Sequence, residues 1–422
     1  MSPPLADRTI EHVTCLGCGC ACDDIAVMVE QDRITAVRNA CALGEAWFGD
    51  GRVPGETHVQ GRTVPLERAV NAAARLLTAA ERPLVYVAAD VSCEAQRAAV
   101  AIADRLRAAL DALGGSAAEG ILAAQRRGRA GATLGEIRQR ADVIVFWAVD
   151  PADRYPRYAS RYAVSPRGLQ ATEGRSSRTV IAVDVGPSRG PDDADTRVTI
   201  APGDEVDSLG VMRAIVQGRL GADDERFRPA TELARRLLQA RYVALVADGE
   251  PGLNPPPDAD RAEALLGLAQ ALNGPTRCAL STLRGGGNRA GADKVLTWQT
   301  GFPYAVDFAR GYPAYRPRGA GGTAAELVTA GEIDAALVVG AAASVPEPVA
   351  RGLGRVATVV IGPRASAAPF AAAVAIDTGV AGIHEGGLAF RMDDVPLPLR
   401  PALPGPRAAA ATMQALREAL ES

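Results

Sequence analysis

Val143–Arg157 reads VIVFWAVDPADRYPR. Five consecutive apolar residues, all β-branched or aromatic, run directly into a polar segment carrying Pro151 and Pro156. Such a run suits a strand buried on both faces, the kind found in parallel sheets. The residues just beyond it, Ala148–Pro156, then fall at the carboxyl end of a strand, where ligands settle in open α/β sheets. Working outward, Leu84–Ala88, Val180–Val183, Val243–Val246, Ala335–Val339 and Val356–Ile361 have the same character. Between some of them lie stretches of helical period. Leu66, Val70, Ala73 and Leu77 make one apolar face, closed by Pro83, and Cys93–Leu110 and Arg261–Leu272 are read as helices. Strands alternating with helices predict an α/β protein with parallel sheets covered on both faces. Asp184–Pro191 and Gly340–Pro346 are further strand-end segments of interest.

The chain has 422 residues, enough for two or three domains. Its expected limits are 1–62 for a cysteine-bearing N-terminal domain, 63–250 for an α/β region with strands near 84–88, 143–147 and 180–183, 251–380 for a second α/β region, and 381–422 for a C-terminal segment packing back on the body. A short helix is expected from about Arg407 to Leu420, after the proline-rich run Pro396–Pro406. The formal net charge of −3 offers no basic field for nucleic acid or anionic membrane. Lys294 is the single lysine among 46 cations, and the three histidines, His12, His58 and His384, are far apart. That distribution argues against histidine–metal catalysis. The first residues lack a basic region followed by an apolar stretch, and no run of about eighteen apolar residues occurs, so a cytoplasmic chain without a membrane span is expected.

Five of the seven cysteines lie within the first 41 residues. Thr14–Asp24 reads TCLGCGCACDD, so Cys15, Cys18 and Cys22 form C-x₂-C-x₃-C, and Cys41 follows. In a reducing compartment, clustered thiols are metal ligands or redox groups before they are structural disulfides. Gly17 and Gly19 let the backbone curl, so that three thiolates with a distant fourth can hold an iron–sulfur cluster or zinc. The bland alternative is a set of free thiols in a glycine-rich turn. Cys20 is expected to point away from the others, and Cys93 and Cys278 are expected to be buried small residues.

The cysteine run, Val143–Arg157, Val295–Asp307 (VLTWQTGFPYAVD) and Gly382–Pro396 (GIHEGGLAFRMDDVP) together resemble the B subunit of formylmethanofuran dehydrogenase. The resemblance spreads along nearly the whole chain, and WQTGFPYAVDFARGYP is its most specific part. It implies the molybdopterin-oxidoreductase fold. In the dehydrogenase, the B subunit carries a four-iron cluster and a molybdenum or tungsten pterin and interconverts CO₂ and formate. The related formyltransferase/hydrolase complex of formaldehyde-oxidising methylotrophs moves a formyl group from a pterin carrier to a furan carrier and hydrolyses it to formate. That route needs no redox step, and its B subunit is a structural relative.

The resemblance implies candidate cluster ligands at Cys15, Cys18, Cys22 and Cys41. It also exposes departures. The family places a cysteine or selenocysteine metal ligand and a histidine shortly before Leu-Ala-x-Gln, here Leu122–Gln125; Ser116 and Ala117 stand in their place. Where the superfamily has Val-Asp-x-Arg against the pterin nucleotide, this chain keeps Asp184 but has Gly186 for the arginine. After Gly340 an acid-bearing turn is replaced by Ala341–Ala343. Buried phosphates without charge-assisted partners cost about 1–3 kcal/mol per unsatisfied group. A degenerate pterin site near Asp184, Gly186 and Gly340, no molybdenum or tungsten pterin and no catalytic residue are therefore expected. The implied function is a non-redox structural subunit in tetrahydromethanopterin-linked formaldehyde oxidation. Its implied partners are an amidohydrolase-type A subunit, a C subunit and the formyltransferase D; the alternative is an active dehydrogenase subunit. Among the remaining residues, Trp298, Phe302, Pro303 and Tyr304 are read as packing, Gly285–Gly287 with Asn288 as a close turn, and Arg284 and Arg289 as solvated or interface groups. His384 beside Glu385 is read as a surface or core histidine, His12 and His58 as surface groups. Arg154, Arg157 and Arg161 are read as one helical face suited to partner carboxylates.

Overall fold

A computed structural model describes residues 8–220, 225–251, 257–317 and 319–421. The chain forms two compact units. One comprises residues 1–113, 285–391 and 396–422, and the other residues 114–284 with 392–395. The strand near 84–88 thus belongs with the C-terminal strands rather than with those near 143–147 and 180–183, and residues 251–284 belong with the latter.

In the second unit the opening stretch is the strand Val143–Trp147, every residue of it buried. It is the central member of a parallel sheet in the order Thr196–Ile200, Thr179–Val185, Val143–Trp147, Val243–Asp248, Cys278–Leu283. Chain order runs outward from it in both directions, which puts a topological switch point between Val143–Trp147 and Val243–Asp248. Alternate side chains, Val143, Val145 and Trp147 with Ile181, Val183 and Leu245, pack under helices Glu205–Val216, Arg228–Leu237 and Arg261–Leu272. Each such buried side chain contributes roughly 1.5–3 kcal/mol.

In the first unit the strands Ala109–Ala112, Pro83–Val87, Ala335–Val339, Ala357–Gly362 and Val374–Asp377 run parallel and adjacent in that order. Short antiparallel pairs extend both edges. Val85, Val87, Leu337 and Val339 face helices Leu66–Thr78, Cys93–Arg105, Arg289–Thr300 and Ala409–Glu421, while Leu84, Tyr86 and Val338 face Ala324–Ala330 and Glu347–Leu353. The N-terminal segment adds an antiparallel sheet of Arg8–Val13, Ile25–Glu30 and Arg33–Arg38. No helix among the described residues is long and apolar enough to cross a membrane.

Several local expectations shift. The helix expected over Cys93–Leu110 stops at Arg105; Arg107 takes φ 53° and turns the chain into the buried strand Ala109–Ala112. Alanine-rich sequence suits a helix by propensity, but burial against two neighbouring strands decides the outcome. Leu66 sits at an exposed helix start, so the apolar face is Ala69, Val70, Ala73, Ala74 and Leu77. The strand Cys278–Leu283 is an addition to the expected set. Arg154 lies outside the helical segment, a π-helix over Tyr158–Ala163, so the three arginines do not share one face.

Two side chains show how irregular segments are held. Arg178 is buried without a carboxylate and donates to the carbonyls of Arg138, Ala141, Val164 and Pro166 at 2.6, 3.2, 3.0 and 2.5 Å. Arg178→Ala would leave these acceptors without their donor and is expected to cost about 3 kcal/mol. Urea denaturation of the variant, read as a lowered midpoint at unchanged slope, checks it. His384 accepts the Val380 N–H on Nδ1 at 3.1 Å and donates Nε2–H to Gly51 O at 2.6 Å. Burial lowers its pKa, and the hydrogen bond accepted on Nδ1 requires the neutral ring. The unfolded chain therefore binds a proton near pH 6.5 that the folded chain still refuses. Stability should fall as pH drops below about 6.5 and level off once the folded ring also titrates. Denaturation midpoints between pH 8 and 5 should show a shallower dependence in His384→Gln than in the parent chain.

Candidate functional site

The cysteine run follows the strand Arg8–Val13 and closes on itself, Cys15 N donating to Cys22 O at 2.9 Å. Within the loop, Ala21 N donates to Cys18 O at 3.1 Å, a turn that Ala21 enters with φ 38°. Cys41 caps the start of helix Ala42–Phe48, its carbonyl accepting Glu45 N at 2.9 Å. That helix approaches closely because Gly44 faces the loop: a Cβ there would stand 3.1 Å from Cys15 Sγ. From the other side the Gly285–Gly287 turn presses on the loop. Cys18 pairs with Gly285 as an isolated β-bridge, Gly287 N donates to Leu16 O at 2.7 Å, and a side chain at Gly286 would collide with the backbone of Leu16 and Gly17. The glycine turn is thus the close turn expected, and its role is to seat the cysteine loop.

This arrangement brings Cys15, Cys18, Cys22 and Cys41 within electrostatic reach of one another. Burial pushes the Cys15 thiol well above its ordinary value, the Gly17 N–H at 3.4 Å from its sulfur offsets part of that, and the other three thiols raise it again. Each neighbour makes a negative charge harder to hold, so joint deprotonation calls for a cation. Among the described residues no three His, Cys, Asp or Glu side chains converge closely enough to hold one metal ion. By donor type, four clustered thiols are the kind of set that iron–sulfur clusters use.

Cys20 differs from expectation. It is wholly buried beside Cys18, and a hydrogen bond shared with that side chain, burial and the neighbouring thiols push its own thiol well above the ordinary value. The Cys18–Ala21 turn folds it back, a consequence of loop closure that spacing alone does not encode. Cys93 and Cys278 are buried as expected, at 3% and 5% exposure.

The second unit holds the positions that the family resemblance links to metal and pterin. Ala117 lies in helix Ser116–Arg127, its N–H donating to Gly249 O at 3.1 Å. A Cβ at Gly249 would stand 2.8 Å from that of Ala117, so the space beside Ala117 is already tight. The side chain of Ser116 lies outside the described residues. Asp184 is buried and fully engaged by its own loop: Arg189 N at 2.7 Å, Gly190 N at 2.9 Å, Ser188 Oγ at 3.2 Å and the Arg197 guanidinium. Burial opposes its charge, yet these donors hold its carboxyl below the usual range. Gly186 takes φ 73° and sits against Pro202, offering no donor in an arginine's place.

Other charges at these strand ends are also spoken for. Glu205 receives Trp147 Nε1 at 2.7 Å and Arg261 at 2.6 and 2.9 Å, all buried. Asp248, at the switch point, binds Arg154 at 2.8 Å and the Tyr155 hydroxyl at 3.0 Å. Arg284, expected at the surface, is 2% exposed and pairs with Glu250 at 2.5 Å. Asp248 and Glu250 are absent from the expected site residues, although acids directly after a buried apolar run are themselves a signal. The cavity bordered by Ala148, Val185, Arg189, Glu205 and Arg261 is about 190 Å³, below the 300–1,000 Å³ of ordinary small-molecule sites.

In the first unit Gly340 takes φ 117° where the strand Ala335–Val339 ends against Ala88 and Ala89. Ala341 N donates to Ala89 O at 2.8 Å, and Ser344 Oγ accepts Ala89 N at 3.0 Å. Backbone thus closes this strand end with its polar groups paired. At these positions Gly186 and Ala341–Ala343 carry no charged side chain, and Asp184 is already paired. Glu385 is no acid–base partner of His384; it is buried and accepts Ala409 N and Ala410 N at 2.7 and 3.1 Å, anchoring the start of the last helix. Tyr304 is core, whereas Trp298 is 62% exposed and touches Phe390 edge-on at 5.4 Å.

No family model matches the chain. It is 32% identical over 432 residues to the B subunit of the tungsten-containing formylmethanofuran dehydrogenase 2 of Methanocaldococcus jannaschii, covering 94% of this chain and 95% of that one. To the same subunit of Methanococcus maripaludis it is 30% identical with the same coverage. To the B subunit of the formyltransferase/hydrolase complex Fhc of Methylorubrum extorquens it is 34% identical over 339 residues, 78% of this chain and 86% of that one. Among solved structures, it matches a chain of the formyltransferase/hydrolase complex FhcABCD of Methylorubrum extorquens, determined in complex with methylofuran. The TM-score is 0.69 at 28% identity, over 86% of this chain and 98% of that chain. Near-complete overlap at this identity makes the chain a member of the family of formylmethanofuran dehydrogenase B subunits.

Proposed function

We propose that this chain is the non-redox B subunit of a formyltransferase/hydrolase complex in the cytoplasm. There it holds partner subunits that move a formyl group from a tetrahydromethanopterin-type carrier to a methanofuran-type carrier and hydrolyse it to formate. The observation that carries this reading is the Asp184 loop. The one acid kept from the family's nucleotide-binding pattern is consumed by four donors of its own chain. The likeness to a chain of the Fhc complex supports the same conclusion.

Its mechanistic contribution is positional. Cys15, Cys18, Cys22 and Cys41 are the residues that would hold a four-iron cluster, which when bound would supply one-electron transfer or simply brace the loop. The chain's own residues do the rest: Gly286 and Gly44 seat the thiols, and the Asp184, Asp248 and Glu205 pairings stiffen the strand ends. A redox-active dehydrogenase subunit is the second reading, favoured by 32% identity over 94% of the chain to a tungsten-containing relative.

Affinity purification of the full chain from its own cells, under anaerobic conditions, separates the two. The expected preparation contains transferase and hydrolase subunits, about four irons per chain, and molybdenum and tungsten far below one atom per chain. Formate should not reduce a viologen dye with it. Stoichiometric tungsten or molybdenum with formate-dependent dye reduction would overturn the non-redox reading.

A further inference from the structure

Folding accounts for only part of WQTGFPYAVDFARGYP, residues 298–313. Tyr304, Val306 and Phe308 are buried, and Val306–Asp307 joins the edge of the first unit's sheet beside Ala109 and Leu110. Trp298 and Tyr312 stay in solvent, at 62% and 54% exposure. Trp298 meets Phe390 edge-on, and Phe302, four residues on, stacks on Tyr315 at 5.3 Å. Phe302 and Phe390 lie against one core cluster, so both rings have a fixed backing. Thr300 locks the turn between Trp298 and Phe302, its hydroxyl donating to Leu296 O at 2.7 Å and accepting Phe302 N at 3.1 Å. Aromatic side chains held in this way lose little conformational freedom on contact, and Trp, Tyr and Arg dominate the binding energy of protein interfaces.

The hairpin that follows carries charge of one sign. Its tip holds Arg310, and its base is tied to the end of helix Cys93–Arg105 by Phe308 N donating to Ala108 O at 3.1 Å. Arg105 and Arg107 therefore flank it. All three arginines are exposed, and among the described residues none of them is in an ion pair. Of the acids in these two segments, Asp307 is taken by Arg82 and Arg316 at 2.9 and 3.1 Å, which leaves Asp104. On a chain of net charge −3, this cationic rim selects an acidic partner. A second copy docked through the same face about a two-fold axis would set arginine against arginine.

We propose that Trp298, Phe302 and Tyr312, rimmed by Arg105, Arg107 and Arg310, form a docking surface for an acidic face of a partner subunit. This rests on the reading of the chain as a subunit that holds others in a complex. The exposed rings are its apolar anchors, and the arginines steer the encounter and fix its orientation.

The test uses the full chain, tagged and purified from its own cells with its transferase and hydrolase subunits. The parent is compared with Trp298→Ala, Tyr312→Ala, Arg310→Glu and, as a control in the second unit, Leu169→Ala, whose side chain is 78% exposed. Native mass spectrometry after dilution reads the fraction of each subunit still bound, at about 50 and 300 mM salt, and each variant's own thermal midpoint is recorded. Trp298→Ala and Tyr312→Ala should weaken retention of one and the same subunit about tenfold or more. Arg310→Glu should weaken that same subunit at low salt and flatten the salt dependence seen in the parent. Leu169→Ala should retain every subunit as the parent does, and all thermal midpoints should stay at the parent value. Should Trp298→Ala unfold, Tyr312→Ala and Arg310→Glu decide alone. Parent-like retention in the folded variants would overturn the surface, and salt-independent retention in the parent would overturn the acidic partner. A dimer of the chain alone that Tyr312→Ala or Trp298→Ala dissociates would overturn it in favour of self-association. A parent that brings down no subunit removes the complex reading and this inference together, whereas parent-like variants leave that reading standing.

Discussion

The close backbone approach between the cysteine loop and the Gly285–Gly287 turn is the constraint on which the first unit's site depends. Leu16 O accepts Gly287 N, Cys18 bridges Gly285, and Gly287 O in turn accepts Asp90 N just past the strand Pro83–Val87. A loop rich in thiols has little core of its own, so its shape must come from outside. Glycines on the opposing turn let main chain meet main chain, and hydrogen bonds at that distance fix the loop far better than side-chain packing would. Trp47 adds a strut, its indole N–H on Asp90 at 3.0 Å.

Charge in the second unit ties its strand ends to the segments around them. Asp184, Glu205, Asp248 and Glu250 are all buried, and each meets an arginine of the same unit. A buried carboxylate without such a partner would be severely destabilising, while a paired one roughly breaks even. The chain's near-exclusive use of arginine suits this, since the planar guanidinium can serve a carboxylate and several carbonyls at once. Arg178, with four carbonyls and no acid, is the same capacity turned to purely structural use.

Much of the architecture is readable because apolar runs such as Val143–Trp147 and Ala335–Val339 have no other stable use than a strand covered on both sides. The clustering of Cys15, Cys18 and Cys22 is readable because spacing in a tight loop is itself geometry. The strand Ala109–Ala112 is not, because its composition suits a helix and only its neighbours pull it into the sheet. Arg284 looks like a solvent residue beside glycines, and nothing local tells that Glu250, thirty-four positions earlier, waits at hydrogen-bond distance. The inward turn of Cys20 is hidden for the same reason: alternation along an extended chain points it away, but the chain there is not extended.

By itself, the sequence determined the buried parallel strands with helices between them, the candidate thiols and the absence of the family's metal-ligand and arginine residues, for these are matters of residue type and local period; which strands share a sheet it did not. The tertiary structure alone decided which acids are consumed by which arginines, that strand ends are closed by backbone at Gly340 and Ala89, and that the fifth thiol joins the other four. Those outcomes depend on contacts between segments far apart along the chain, where distance, burial and the pairing of polar groups are settled only once the sheets have formed.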